Sequence, residues 1–145
     1  MKTVALRFSD KFAPEYGTIV AHERMIQKNG YVWYGKLGLP LSQKAIDFIN
    51  ENNDPRILLI HSGKTARYWA HITEIKKEVP EIECIPEYYV DMCEKFRTWF
   101  KVVSFENAPK DIMGKCRVLS SGATLGEVSK HSMSPYFIIE FEGDN

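Results

Sequence analysis

The sequence predicts an α+β domain: a mixed, curled β-sheet forming a barrel, with two or three helices flanking it. Three observations carry that expectation. The stretch Arg56 to Lys77, RILLIHSGKTARYWAHITEIKK, is two apolar runs broken by the turn-forming Ser62-Gly63-Lys64. Ahead of it, two runs of helical periodicity alternate with two short apolar strands. Behind it, aromatic and β-branched runs of strand character follow one long connection.

In the central hairpin, Leu58, Leu59 and Ile60 form a short buried strand. From Arg67, aromatic, β-branched and polar residues alternate toward Ile75, as a second strand pairing back on the first requires. Alternation puts Tyr68, Ala70 and Ile72 on one face and Trp69, His71 and Thr73 on the other, so both faces carry groups larger or more polar than a core needs. One face is therefore expected to meet a partner.

From the N-terminus, Thr3 to Phe8 is a first strand, closed by Ser9, Asp10 and a turn around Pro14 and Gly17. Thr18 occupies an N-cap position, and Ile19, Val20, His22, Met25 and Ile26 recur at helical spacing until Asn29-Gly30 ends the run. Tyr31 to Lys36 reads as a short aromatic strand punctuated by Gly30 and Gly38. Ser42 is the expected cap of a second helix, with Leu41 and Ile46 at the hydrophobic-staple positions and Ala45, Ile46 and Ile49 on its buried side. The asparagine-rich segment up to Asp54-Pro55 ends it. Glu81 to Glu94, between Pro80 and the next strand, reads as a connection long enough to cover a site, and it carries Tyr88 and Tyr89. Phe96 to Phe105 is a strand, Ala108 to Asp111 a turn or a single 3₁₀ turn, and Cys116 to Leu119 a short edge strand. Thr124 to Val128 has room for a helical turn within a serine- and glycine-rich stretch, and Tyr136 to Phe141 closes the chain as a strand.

Length and composition narrow the function classes. A chain of 145 residues, 44% hydrophobic, is expected to form one domain over 1–145 with a core that needs neither disulfides nor a structural metal. Nineteen basic residues balance nineteen acidic ones, so no global field draws the protein to a polyanion, and any such site is local. Three cysteines without a Cys-x-x-Cys pair favour reduced, structural thiols. No window approaches the length needed to span a bilayer and no secretory-type segment opens the sequence, so a cytoplasmic protein without a membrane partner is expected.

The order of elements resembles the PUA-like superfamily, particularly its EVE and YTH branches. The residues that carry the resemblance are Val32-Trp33 in the strand after the first helix and Leu58-Leu59-Ile60-His61-Ser62-Gly63 in a buried strand ending in a polar turn. Ile72-Thr73-Glu74-Ile75 follows as an apolar-acidic-apolar strand end, and Trp99-Phe100-Lys101-Val102-Val103 with Ala108-Pro109 completes the pattern. The resemblance covers roughly Thr18 to Asp111. It implies a module that binds RNA or DNA and, as several members do, grips a methylated base. No tryptophan occupies the Glu81 to Glu94 loop, so Tyr88 or Tyr89 is left to supply the second wall of such a cage.

A single base is held by stacking on aromatic faces and read at its edge by a few donors and acceptors. The candidates for base contact are Trp33, Tyr34, Tyr68, Trp69, Tyr88 and Tyr89, with Ser62 for the edge; Lys36, Lys64 and Arg67 are candidates for phosphate. Each aromatic is also an ordinary core residue by size. Catalysis finds less support. His22, His61, His71 and His131 show no metal-ligand spacing, and His61 beside Ser62, with Glu74 across the sheet, lacks an oxyanion hole or a nucleophile elbow. The expectation is a non-catalytic nucleic-acid-binding module without cofactor or metal; a small hydrolase or ribonuclease using these histidines, or a protein-interaction module, are the alternatives.

Overall fold

The computed structural model describes residues 1–142. Its elements run β1 (Lys2–Phe8), α1 (Thr18–Asn29), β2 (Val32–Leu37), α2 (Gln43–Asn50), β3 (Arg56–His61) and β4 (Arg67–Lys76). Two 3₁₀ segments, Ile82–Cys84 and Glu87–Lys95, lead to β5 (Phe96–Asn107), α3 (Ile112–Lys115), β6 (Cys116–Val118), α4 (Leu125–His131) and β7 (Tyr136–Phe141). The seven strands follow the order β2-β5-β4-β3-β1-β7-β6, an α+β arrangement with a mixed sheet. The sheet is not closed into the expected barrel: β2 and β6 are its edges. Helix content also exceeds the expected two or three, because α3 and α4 add to α1 and α2.

The chain divides into two compact units. The first comprises Met1–Phe8, Gln43–Trp69 and the chain from Glu106 on. Its centre is β1, which pairs in parallel with β3 (Ala5 opposite Leu58, Leu6 opposite Leu59) and antiparallel with β7. Val4, Ala5 and Leu6 are buried in succession, the unalternating pattern of a strand covered on both faces. The core of this unit gathers Leu58, Ile60, Trp69, Ile112, Leu125 and Phe137 with their neighbours. Helix α4 starts where the Thr124 side chain accepts the Glu127 backbone N–H at 3.3 Å.

The second unit comprises Ser9–Ser42 and Ala70–Phe105. Here β2 pairs antiparallel with β5, Trp33 opposite Lys101 and Gly35 opposite Trp99, and α1 packs on β2. Thr18 is not the N-cap of α1 but its first helical residue. The Asp10 carboxylate accepts the Thr18 backbone N–H at 2.9 Å, while the Thr18 hydroxyl donates to the Ser9 carbonyl at 3.2 Å. An acidic side chain eight residues upstream thus takes over the capping role. The helix ends as expected at Gly30, whose φ of 88° is the left-handed conformation and whose N–H reaches the Ile26 carbonyl at 2.7 Å. The 81–94 connection is largely 3₁₀-helical, and it buries Cys84, Ile85 and Tyr89 into a core with Trp33, Phe96 and Trp99.

Candidate nucleic-acid interface

The residues named for base and phosphate contact fall in both units. In the second unit Trp33 is 2% exposed. Its indole N–H donates to Glu81 Oε1 at 2.6 Å, and the Lys76 ammonium lies 4.6 Å from the ring centroid. The ring is a packing residue with its polar edge already engaged. Lys36, named for phosphate, is buried as well: its ammonium donates to the Leu39 carbonyl at 2.6 Å and to the Leu37 carbonyl at 3.3 Å, and burial lowers its pKa. A bulge in the β2–β5 pairing between Lys36 and Leu37 accompanies that inward turn.

The second unit's aromatics converge on His22. The imidazole is fully buried and has Tyr34 at 5.1 Å, Tyr89 at 5.2 Å, Phe105 at 6.2 Å and Tyr88 at 6.4 Å between ring centroids. Its Nδ1 lies 2.8 Å from the Thr18 carbonyl, which can only accept, so Nδ1 carries the proton. Burial outweighs that hydrogen bond and lowers the imidazole pKa to about 4, so the ring is neutral near pH 7. Nε2 is then a bare acceptor, and it has no hydrogen-bond partner; the indole N–H of Trp99 is likewise buried and unpaired. Burial also raises the phenol pKa values of Tyr34, Tyr88 and Tyr89; neighbouring phenols add to the effect at Tyr34 and Tyr89, the Asp10 carboxylate adds to it at Tyr34 and Tyr88, and hydrogen bonds with Thr18 and Tyr89 oppose it at Tyr88.

Tyr34 and Tyr89 are buried, whereas Tyr88 is half-buried. Tyr88 meets Tyr89 edge-on at 4.9 Å and also lines a cleft of about 420 Å³ with Pro14, Tyr16, Ala21, Arg24, Met25, Pro86 and Glu87. The Arg24 guanidinium stacks over the Tyr16 ring at 3.8 Å. The cleft therefore holds two phenol rings, a thioether, one cation and one carboxylate. Tyr16 and Arg24 are not among the residues named from the sequence, and Met25 is named there only for the periodicity of α1. The signal was present in the spacing of Ala21, Arg24 and Met25, which at i, i+3 and i+4 share one face of α1 running from the buried Ala21 out to the exposed Arg24.

In the first unit Ser62 and Lys64 are exposed on the hairpin turn. Arg67 is half-buried and donates to the Thr65 carbonyl at 2.6 Å. Tyr68 is half-buried and tilted against Phe8 at 6.2 Å. Trp69 lies in the core with the Arg56 guanidinium 4.5 Å from its centroid and Phe141 at 5.4 Å. His61 stacks on Phe8 at 4.6 Å with the planes 16° apart, and His131 stands exposed at the end of α4, while His71, which belongs to the second unit, is half-buried. Among the described residues no three His, Cys, Asp or Glu side chains gather as a metal site.

Compared with known proteins, the chain matches the Pua-like family model over residues 4–132. No curated protein and no solved structure matches it. PUA-like domains are typically RNA-binding and generally non-catalytic. The match runs from β1 to just beyond α4, through every element that builds the aromatic cluster, and the chain belongs to the PUA-like family.

Proposed function

We propose that this protein is a nucleic-acid-binding module that holds one unpaired base, plain or methylated, against Tyr88 in the cleft of its second unit. The observation that carries this reading is the double position of Tyr88: one half-buried ring is braced from within by Tyr89 and His22 and forms the wall of an open cleft. A braced ring at a surface loses little freedom when a base stacks on it, and such stacking contributes about 1–3 kcal/mol per base. Tyr16 and Met25 offer apolar surface for a methyl group, and Arg24 is the cation for an adjacent phosphate. RNA is the favoured partner because RNA binding typifies the family. Balanced overall charge agrees with few phosphate contacts and a shallow salt dependence, a log–log slope near −1 for one or two phosphates on a single strand.

The test is fluorescence anisotropy with short single- and double-stranded RNA and DNA at fixed salt. Each oligonucleotide carries adenine, N6-methyladenine, cytosine or 5-methylcytosine at one position. Tyr88→Ala is expected to weaken binding about tenfold or more, whereas Lys64→Ala on the first unit's turn leaves it unchanged. A folded wild type that binds none of these strands, or a Tyr88→Ala variant that binds as tightly as wild type, would sink the reading.

A further inference from the structure

His22 is the one imidazole buried completely in the second unit, and its bare Nε2 lacks a partner there. Its tautomer is set by the Thr18 carbonyl on the preceding turn of its own helix, which leaves Nε2 at the ring end facing away from that turn. The surroundings are aromatic: Tyr34 and Tyr89, both buried, with Tyr88 and Phe105 half-buried. A buried acceptor without a donor destabilises the unliganded protein, and a ligand that brings the donor recovers that cost on binding. Tyr88 joins the two places. It meets His22 edge-on, the planes 83° apart, and it also lines the cleft.

We propose that Nε2 of His22 reads the bound base by accepting its exocyclic amino N–H, which makes His22 a specificity-determining residue for amino-bearing bases. The proposal rests on the Tyr88 base site above. In it, Tyr88 stays the braced wall on which the base stacks, and entry of the base opens the path to Nε2, which is closed off in the unliganded protein. Adenine, cytosine and guanine carry the required N–H. An N6-methyl group leaves one N–H in place, so the site accepts N6-methyladenine and rejects N6,N6-dimethyladenine. Glu87, the carboxylate on the cleft, is the competing acceptor.

The experiment compares bases that differ by the amino group alone, each placed in the best-binding single strand: adenine with purine, cytosine with 2-pyrimidinone, guanine with hypoxanthine. Wild type is expected to favour the amino-bearing member about tenfold, and His22→Phe to abolish that ratio while still binding through Tyr88. A ratio that survives in His22→Phe, or one that disappears in Glu87→Gln instead, overturns the assignment. Loss of all binding preference for Tyr88 over Ala at that position would be a failure of the base site itself, which is a separate result. Should His22→Phe not fold, the imidazole ¹⁵N signal of wild type decides: Nε2 shifts on titration with the amino-bearing strand and stays in place with its partner lacking the amine. An Nε2 signal that moves equally with both strands, or with neither, overturns the proposal.

Discussion

Glu81 fastens Trp33 into the second unit: Oε1 accepts the indole N–H at 2.6 Å, and Oε2 accepts the Tyr31 hydroxyl at 3.3 Å. Burial pushes the carboxyl pKa up, but its own backbone N–H, the Trp33 indole, Lys76 and Tyr31 together outweigh this and hold it below the ordinary value. A carboxylate with a depressed folded pKa contributes stability at pH values above its unfolded pKa, and that contribution is lost as pH falls through the folded one. Glu81→Gln should therefore lower the urea midpoint at pH 6 and make less difference at pH 3. An equal effect at both pH values would show that the charge contributes nothing.

His22 gives a second pH dependence, in a higher window. Its folded pKa of about 4 lies below the ordinary 6.5, so between these values the unfolded chain binds a proton that the native protein refuses. Stability is fully retained above about pH 6.5, falls as pH drops toward 4 and then levels off, a loss of roughly 3 kcal/mol in total. The rings around it, Tyr34, Tyr88 and Tyr89, do not titrate in that window: phenols ordinarily lose their proton near pH 10, and these are shifted further upward. In His22→Phe the slope of stability against pH should flatten between 6.5 and 4. Chemical denaturation at half-unit intervals measures it, and an unchanged slope would mean that the imidazole is not held neutral.

Gly35 is required by a close approach rather than by its backbone angle. A Cβ there would stand 2.6 Å from Cγ and 2.8 Å from Cδ1 of Phe96, a buried ring that packs on Tyr89 at 4.4 Å and Trp99 at 5.1 Å. Gly35→Ala is expected to destabilise by about 1–3 kcal/mol, since the ring cannot retreat without disturbing both neighbours. In a Phe96→Ala background the same change should cost much less. A double-mutant cycle without coupling between the two positions would refute the steric account.

Local chemistry made much of the fold legible. Tyr136 to Phe141 is a strand with the bounds its alternation implies, and Asn29-Gly30 stops α1 because a left-handed residue is needed there. Three features required information that lies elsewhere in the chain. Thr18 looked like a cap by type, yet Asp10 takes that role through a loop whose path periodicity does not encode. Tyr88 and Tyr89 are adjacent and chemically identical, and only the 3₁₀ geometry of Glu87–Lys95 buries one and leaves the other at the cleft. Trp33 reads as a stacking platform until Glu81, 48 positions away, is found holding its N–H. The helical turn expected at Thr124 to Val128 is there as α4, capped by Thr124, but the serine and glycine around it hid its extension to His131.

Arg7 secures the end of α4 in the first unit. Its Nη2 donates to the Ser129 carbonyl at 2.8 Å and the Ser132 carbonyl at 2.9 Å, its Nε reaches the Ser134 carbonyl at 3.3 Å, and the guanidinium lies 5.5 Å from the Phe137 ring centroid. The last carbonyls of a helix have no partner within it, so a fork of donors from β1 supplies what α4, only seven residues long, cannot. Lysine has the charge but not the fork. Both Arg7→Lys and Arg7→Met should therefore destabilise by about 1–3 kcal/mol. Amide exchange should quicken at residues 129–134 before it does at the capped Thr124 end. A uniform rise across α4 would indicate global loosening instead, and an unchanged melting midpoint for Arg7→Met would show that water replaces the guanidinium at these carbonyls without cost.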